Sequence, residues 1–300
     1  MKHYFILFLK GMGMGVANVI PGVSGGTIAL ITEIYEDLIT SLKSFDRKAL
    51  TLFFSLKIKE FVKYTNFYFL ASIFLGSIVS VFTIASLFEY LFAEYPILIW
   101  AFFFGLILAS IIFVGKRVES WNMASILALI LGTIVAFSLS LATPATENAN
   151  LFFVFICGII GISGMMLPGL SGSYILILLG NYKLLMITAI TELNIPLLTT
   201  FLLGSIFGLM SFSHLLSWIL KEYKNATLAL LTGFILGSLK IIWPWKKITE
   251  SIIIDGNEKV ISYNMILPAT LDSNTITAIL LMLTGFILVY FLENFSKRIS

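Results

Sequence analysis

The chain is a succession of long apolar runs separated by short polar joints. Runs at 67–92, 97–115, 121–142, 196–220, 225–243 and 276–294 approach or exceed the ~20 residues that cross a hydrocarbon core of ~30 Å. Each is predicted to be a transmembrane helix. Two further apolar stretches, 4–40 and 151–189, are broken in the middle by Pro21-Gly22-Val23-Ser24-Gly25 and Pro168-Gly169-Leu170-Ser171-Gly172. Proline removes a helical donor and clashes with the preceding turn, so each stretch is predicted to be two helical arms joined by a turn. The arms of the first, about 17 and 14 residues, are too short to span at 1.5 Å per residue, which favours re-entrant hairpins.

The two breaks belong to an internal repeat. PGVSGGTIALITEIYEDLI from Pro21 aligns without gaps on PGLSGSYILILLGNYKLLM from Pro168, a spacing of 147 residues. Leu75-Gly76-Ser77, Glu94-Tyr95 and Gly105-x-Ile107-Leu108 then recur at Leu203, Glu222 and Gly233 with a spacing of 128. The difference places an insertion in the first half, the basic segment 41–64. The predicted organisation is a first repeat at 1–147 (hairpin 4–40, insertion 41–64, spans 67–92, 97–115 and 121–142) and a second at 148–300 (hairpin 151–189, spans 196–220, 225–243 and 276–294). Lys and Arg in short loops stay cytoplasmic. With both termini inside, all but Lys183, Lys240, Lys246, Lys247 and Lys259 of the 19 basic residues fall on the cytoplasmic half. Each half then crosses the membrane an odd number of times, so the second is expected upside down relative to the first. The expected fold is an all-α polytopic membrane protein with an inverted-topology repeat, each half a re-entrant broken-helix hairpin plus three transmembrane helices.

Composition narrows the function. Hydrophobic residues make up 59% of the chain, charged residues 12%, and mean hydropathy is +1.01, far from the roughly 25% charged of soluble domains. The net charge of +3 is small and its cations are not interleaved with aromatics, so nucleic acid is not an expected partner. Cys157 stands alone and His3 and His214 lack neighbours at ligand spacing, so neither a metal nor a cofactor is implied. No nucleotide-binding or hydrolase motif occurs, and the chain is not expected to be an enzyme.

The breaks are the candidate site. Ser24-Gly25-Gly26-Thr27 and Ser171-Gly172-Ser173 open the second arms with backbone N–H groups and hydroxyls aimed at one spot, an arrangement suited to an anion. Irregular backbone at membrane depth persists only where protein buries it or it lines a wet cavity. Candidate substrate-binding residues are therefore Asn18, Pro21, Gly22, Ser24, Gly25, Gly26, Thr27, Pro168, Gly169, Ser171, Gly172 and Ser173. Glu36 and Lys183 occupy equivalent repeat positions, and with Lys10 they are candidates for coupling or charge gating.

The stretch GVANVIPGVSGGTIALITEIYEDLI, with PGLSGSYILILLGNY in the second half, resembles the bacterial polyprenyl-phosphate (undecaprenyl-phosphate) translocase family of the PopT type, and the resemblance covers essentially the whole chain. It implies a flippase that returns undecaprenyl phosphate, the lipid carrier of cell-wall synthesis, from the outer to the inner leaflet of the cytoplasmic membrane. Implied partners are that lipid and the surrounding membrane lipids, with homo-oligomerisation left open. One departure is Glu33, where the family typically has glycine before Ile-Tyr-Glu. The residues themselves are also compatible with a secondary transporter or channel for a small soluble anion.

Overall fold

A computed structural model describes residues 2–19, 23–254, 257–268 and 270–299. The first half begins with α1 (Lys2–Val19), α2 (Gly25–Ile31) and α3 (Tyr35–Lys43), passes through α4 (Arg47–Phe54) and α5 (Ile58–Tyr64), and continues with α6 (Phe67–Glu94), α7 (Pro96–Gly115) and α8 (Met123–Leu139). The second half holds α9 (Leu151–Met166), α10 (Gly172–Leu178), a π-helical turn at Leu184–Thr188, α11 (Ala189–Thr191), α12 (Ile195–Glu222), α13 (Lys224–Ile242) and α14 (Ser273–Ile299). Between α13 and α14 lies an antiparallel hairpin of β1 (Lys246–Ile254) and β2 (Asn257–Met265).

Short polar caps start many of the helices. Asp46, Asn122, Asn150 and Asn194 accept backbone N–H bonds at the heads of α4, α8, α9 and α12, satisfying donors that have no partner within the helix. Among the described residues, five helices are long and apolar enough to cross a membrane: Phe67–Ile84 within α6, Pro96–Gly115, Ile195–Glu222, Lys224–Ile242 and Ser273–Phe291 within α14. The protein is thus a helical, multi-pass membrane protein. The run expected to span at 121–142 forms only the 17 residues of α8, about 25 Å at 1.5 Å per residue, because the chain leaves the helix ahead of Pro144. The connection between α13 and α14 is held to the helices by its start and by the residue after β2. Trp243 donates to the Ile266 carbonyl, Trp243 stacks edge-on against Trp245, and Lys246 lies 3.7 Å from the Trp100 ring centre, pinning the hairpin to the start of α7.

The spacing of 128 recurs in the geometry. α6 and α12 are both 28 residues long, and Tyr95 and Tyr223, which end them, have φ/ψ of −132°/47° and −129°/47°. α1 packs along α6 as α9 packs along α12. The remaining helices are exchanged between halves, since α7 packs along α14 and α13 along α8. A Cβ at Gly105 would strike the Met282 carbonyl of α14, and one at its counterpart Gly233 would strike the Leu129 carbonyl of α8. The third helix of each half is thereby locked against the second helix of the other. The buried core runs continuously from Val23 and Tyr35 through Ile107 to Leu231 and Ile235.

Candidate functional site

At the first break, Pro21 and Gly22 lie outside the described residues. Ser24, extended at φ −117° and ψ 136°, caps α2, its Oγ accepting from Gly26 N. Asn18, on the last turn of α1, reaches across the break and accepts from Gly25 N at 2.8 Å. Thr27 N donates to the Ser24 carbonyl. The opening donors of α2 are thus taken by the protein itself.

The second break repeats this local form. Ser171, at φ −113° and ψ 126°, caps α10. Gly169, next to Pro168, has φ +79°, and a Cβ there would lie 2.6 Å from the Phe234 and Ile235 backbone, so the turn requires glycine both for conformation and for space. The side chains that seal the first break are missing here. Asn18 aligns with Met165, and Thr27 with Tyr174, whose hydroxyl bonds instead to the Leu139 carbonyl. Ser171 Oγ and Ser173 Oγ lie 2.8 Å apart, and Ser173 is exposed. Ser24 and Thr27 are 2% and 0% exposed. The first break is therefore closed, and the second, whose cap Ser171 is 9% exposed, is open only at Ser173.

The two breaks meet. Ser24 Oγ donates to the Leu167 carbonyl at 3.1 Å, Gly169 N donates to Thr27 Oγ1 at 3.0 Å, and Tyr35 OH donates to the Met166 carbonyl at 3.1 Å. Side chains from the first repeat satisfy three backbone groups of the second, at Met166, Leu167 and Gly169, where α9 ends and the turn begins. Those groups would each carry a desolvation cost if left unpaired. Gly26 lies close to the Met166 carbonyl, and Gly172 packs against the backbone of Gly161 in α9. Tyr35, buried at 1%, escaped the sequence reading as a site residue. Its recurrence as Tyr182 was the available signal.

The charged candidates lie away from the breaks. Lys10 Nζ donates to the Thr32 carbonyl at 2.7 Å, at the far end of α2 from Ser24. Glu36 is exposed and faces Lys224 at 3.8 Å, and Lys183 is half-buried at the start of the π-helical turn. Glu33 adopts φ +63° where its repeat counterpart Gly180 has φ +76°. Both close the same turn, with Ile34 N bonded to the Ala29 carbonyl and Asn181 N to the Leu176 carbonyl, each at 3.0 Å. The acid at this glycine position is engaged by Arg117, whose Nη2 donates to Oε1 at 3.0 Å. A second unforeseen contact is Asn181, fully buried, which exchanges two bonds with the Asn148 backbone. No group of three or more His, Cys, Asp or Glu suited to a metal occurs among the described residues.

Fold and site together define a multi-pass helical membrane protein whose two Pro-Gly-x-Ser-Gly breaks join at one buried contact. The chain belongs to the undecaprenyl phosphate translocase-like family, whose model matches residues 14–260. It is 37% identical over 303 aligned residues to a polyprenyl-phosphate transporter of Vibrio cholerae, covering 99% of this chain and 98% of that protein. A polyprenyl-phosphate transporter of Staphylococcus aureus is 30% identical over 258 residues, covering 80% and 86% respectively. No solved structure matches the chain.

Proposed function

We propose that the protein is a transporter, not an enzyme, that moves undecaprenyl phosphate from the outer to the inner leaflet of the cytoplasmic membrane for reuse in cell-wall synthesis. Its termini are cytoplasmic and its halves oppositely oriented, so the paired breaks sit near the bilayer midplane. Direct contact between the breaks carries this reading, because it brings two sets of hydroxyls and irregular backbone together in a helical membrane protein related to polyprenyl-phosphate transporters.

A phosphate monoester offers several strong acceptor oxygens and needs converging donors. Ser173, exposed and bonded to the Ser171 hydroxyl, presents the accessible hydroxyl of this arrangement, and Ser171 turns to the phosphate by giving up that mutual bond, while Gly169 and Gly172 let backbone approach. Ser24, Gly25, Gly26 and Thr27 form the opposite wall, now closed on the Leu167 carbonyl and Gly169 N. In the alternate state the phosphate oxygens take over from the Thr27 bond to Gly169 N, and the site opens on its other side. The long tail stays in lipid throughout. Because α7 with α14 and α8 with α13 interlock the halves, the moving units are the α1/α6 and α9/α12 pairs, against the scaffold of those four helices. Glu36, exposed and paired with Lys224, is the group assigned to coupling with the membrane gradient, and Lys183 is its counterpart in the second repeat.

The test is leaflet-specific accessibility of undecaprenyl phosphate in proteoliposomes. Wild type equilibrates the lipid between leaflets, and the Ser171→Ala/Ser173→Ala pair slows it by about tenfold or more, given ~1.5–3 kcal/mol per hydrogen bond to a charged group. Flux of a soluble anion without movement of the lipid would overturn the reading in favour of an ion transporter or channel.

A further inference from the structure

The insertion 41–64 has no counterpart in the second half, and transport through the breaks leaves it without a task. It carries Lys43, Arg47, Lys48, Lys57, Lys59 and Lys63 against Asp46 and Glu60, six basic residues to two acidic, a net +4. The end of α4 and the turn after it also expose large apolar side chains, Phe54 at 78% and Leu56 at 82%. A basic segment with exposed Phe and Leu beside a membrane span lies in the interface, with its apolar groups at the acyl boundary and its cations among the headgroups.

A shallow surface cavity of about 480 Å³, lined mostly by exposed side chains, opens where α5 meets the start of α1 and of α6. Lys59 and Lys63, four residues apart on one face of α5, line it together with Tyr4, Asn66 and Tyr68. The Tyr4 and Tyr68 rings lie 5.9 Å apart. Among the described residues its lining contains no acidic side chain, and Glu60, the adjacent acid, is 3.7 Å from Lys57. Phe67, next to Asn66, begins a candidate membrane span, which puts the cavity at headgroup depth. Tyrosine, amphipathic, is favoured at that depth.

We propose that this cavity holds the phosphate of an anionic phospholipid from the adjacent leaflet. Lys59 and Lys63 neutralise the phosphodiester, the Asn66 amide and tyrosine hydroxyls donate to its oxygens, and the acyl chains leave past the exposed apolar face of the insertion. Lipid binding here fastens the insertion to the bilayer surface. The cavity shares no residue with the breaks, so the inference stands whichever substrate the breaks carry.

The experiment is native mass spectrometry of the full-length protein in detergent, titrated with phosphatidylglycerol or phosphatidylcholine. Wild type is expected to retain phosphatidylglycerol preferentially, and the Lys59→Gln/Lys63→Gln pair to bind it about tenfold more weakly. The Lys59→Arg/Lys63→Arg pair keeps the preference. So does the Ser171→Ala/Ser173→Ala pair, which separates this site from the transport site. Should the glutamine pair fail to fold, the wild-type preference decides, since it must persist at low salt and weaken at high salt. Equal retention of both lipids, undiminished binding by a folded glutamine pair, or displacement of the lipid by inorganic phosphate but not by chloride at the same ionic strength overturns the proposal.

Discussion

Replacing Thr27 with valine isolates the contact that joins the two breaks. Valine is close in shape to threonine, so Thr27→Val opens no cavity. It removes the acceptor of Gly169 N, a bond of 3.0 Å between buried groups. Thr27 is 0% exposed, so water cannot replace it without rearrangement. A buried N–H left unpaired costs about 1–3 kcal/mol. The cost falls only on the state in which the breaks touch, which biases the protein toward states in which they separate, by a factor of roughly 5 to 150. Thr27→Ser, which keeps the hydroxyl and loses a methyl, should lose ~1 kcal/mol of packing but retain the bond. The assay pairs denaturant unfolding of the purified protein with accessibility of a cysteine placed at position 23, where Val23 beside the first break is 2% exposed. Valine at 27 should lower stability by about 1–3 kcal/mol and raise labelling at 23, whereas serine should leave labelling unchanged. If Thr27→Val matches wild type in both measurements, the contact between the breaks contributes nothing and the closed first break is not a functional state.

Three further outcomes are expected. Glu33→Gly should be at least as stable as wild type, because relief of the left-handed backbone at φ +63°, ~1–2 kcal/mol, offsets a partly exposed ion pair with Arg117 that contributes ~0–1 kcal/mol. Glu33→Ala keeps the backbone strain and loses the pair, so it should be the less stable of the two by thermal denaturation. Gly105→Val and Gly233→Val should each prevent accumulation of folded protein, measured by size-exclusion chromatography, since their side chains would strike carbonyls of α14 and α8. At Asp46 burial pushes the carboxyl up, but bonds from the Tyr64 hydroxyl and from Ala49 and Lys48 N–H outweigh it and hold the carboxyl below its usual range. A depressed carboxyl stabilises the fold above its unfolded pKa of about 3.9 and loses that contribution as pH falls through the folded value. Proteolysis within 41–64 should therefore rise on acidification below about pH 4 in wild type, and Asp46→Asn should show the higher rate already at neutral pH.

The sequence by itself determined the features that depend on a few neighbouring residues or on solvent. Apolar run length against bilayer thickness predicted helical crossings, and the membrane class and family stand. Pro-Gly followed by Ser-Gly located the helix breaks, since proline and a small polar cap act on their own turn of chain. Spacings of 147 and 128 aligned residues that adopt matching backbone, even to Glu33 beside Gly180. Only the tertiary structure decided which partners these local elements take. Nothing in the chain around Leu106 or Phe234 specifies that α7 packs on α14 and α13 on α8, because close approach at Gly105 and Gly233 depends on carbonyls far away in sequence. The same holds for Tyr35 finding Met166, Arg117 finding Glu33, and Lys10 turning to Thr32 rather than to the breaks. Two breaks with almost the same motif ended unequal for this reason. Asn18 and Thr27 close the first, while Met165 and a diverted Tyr174 leave the second open, and a buried donor is satisfied by whichever acceptor the packing brings within about 3 Å.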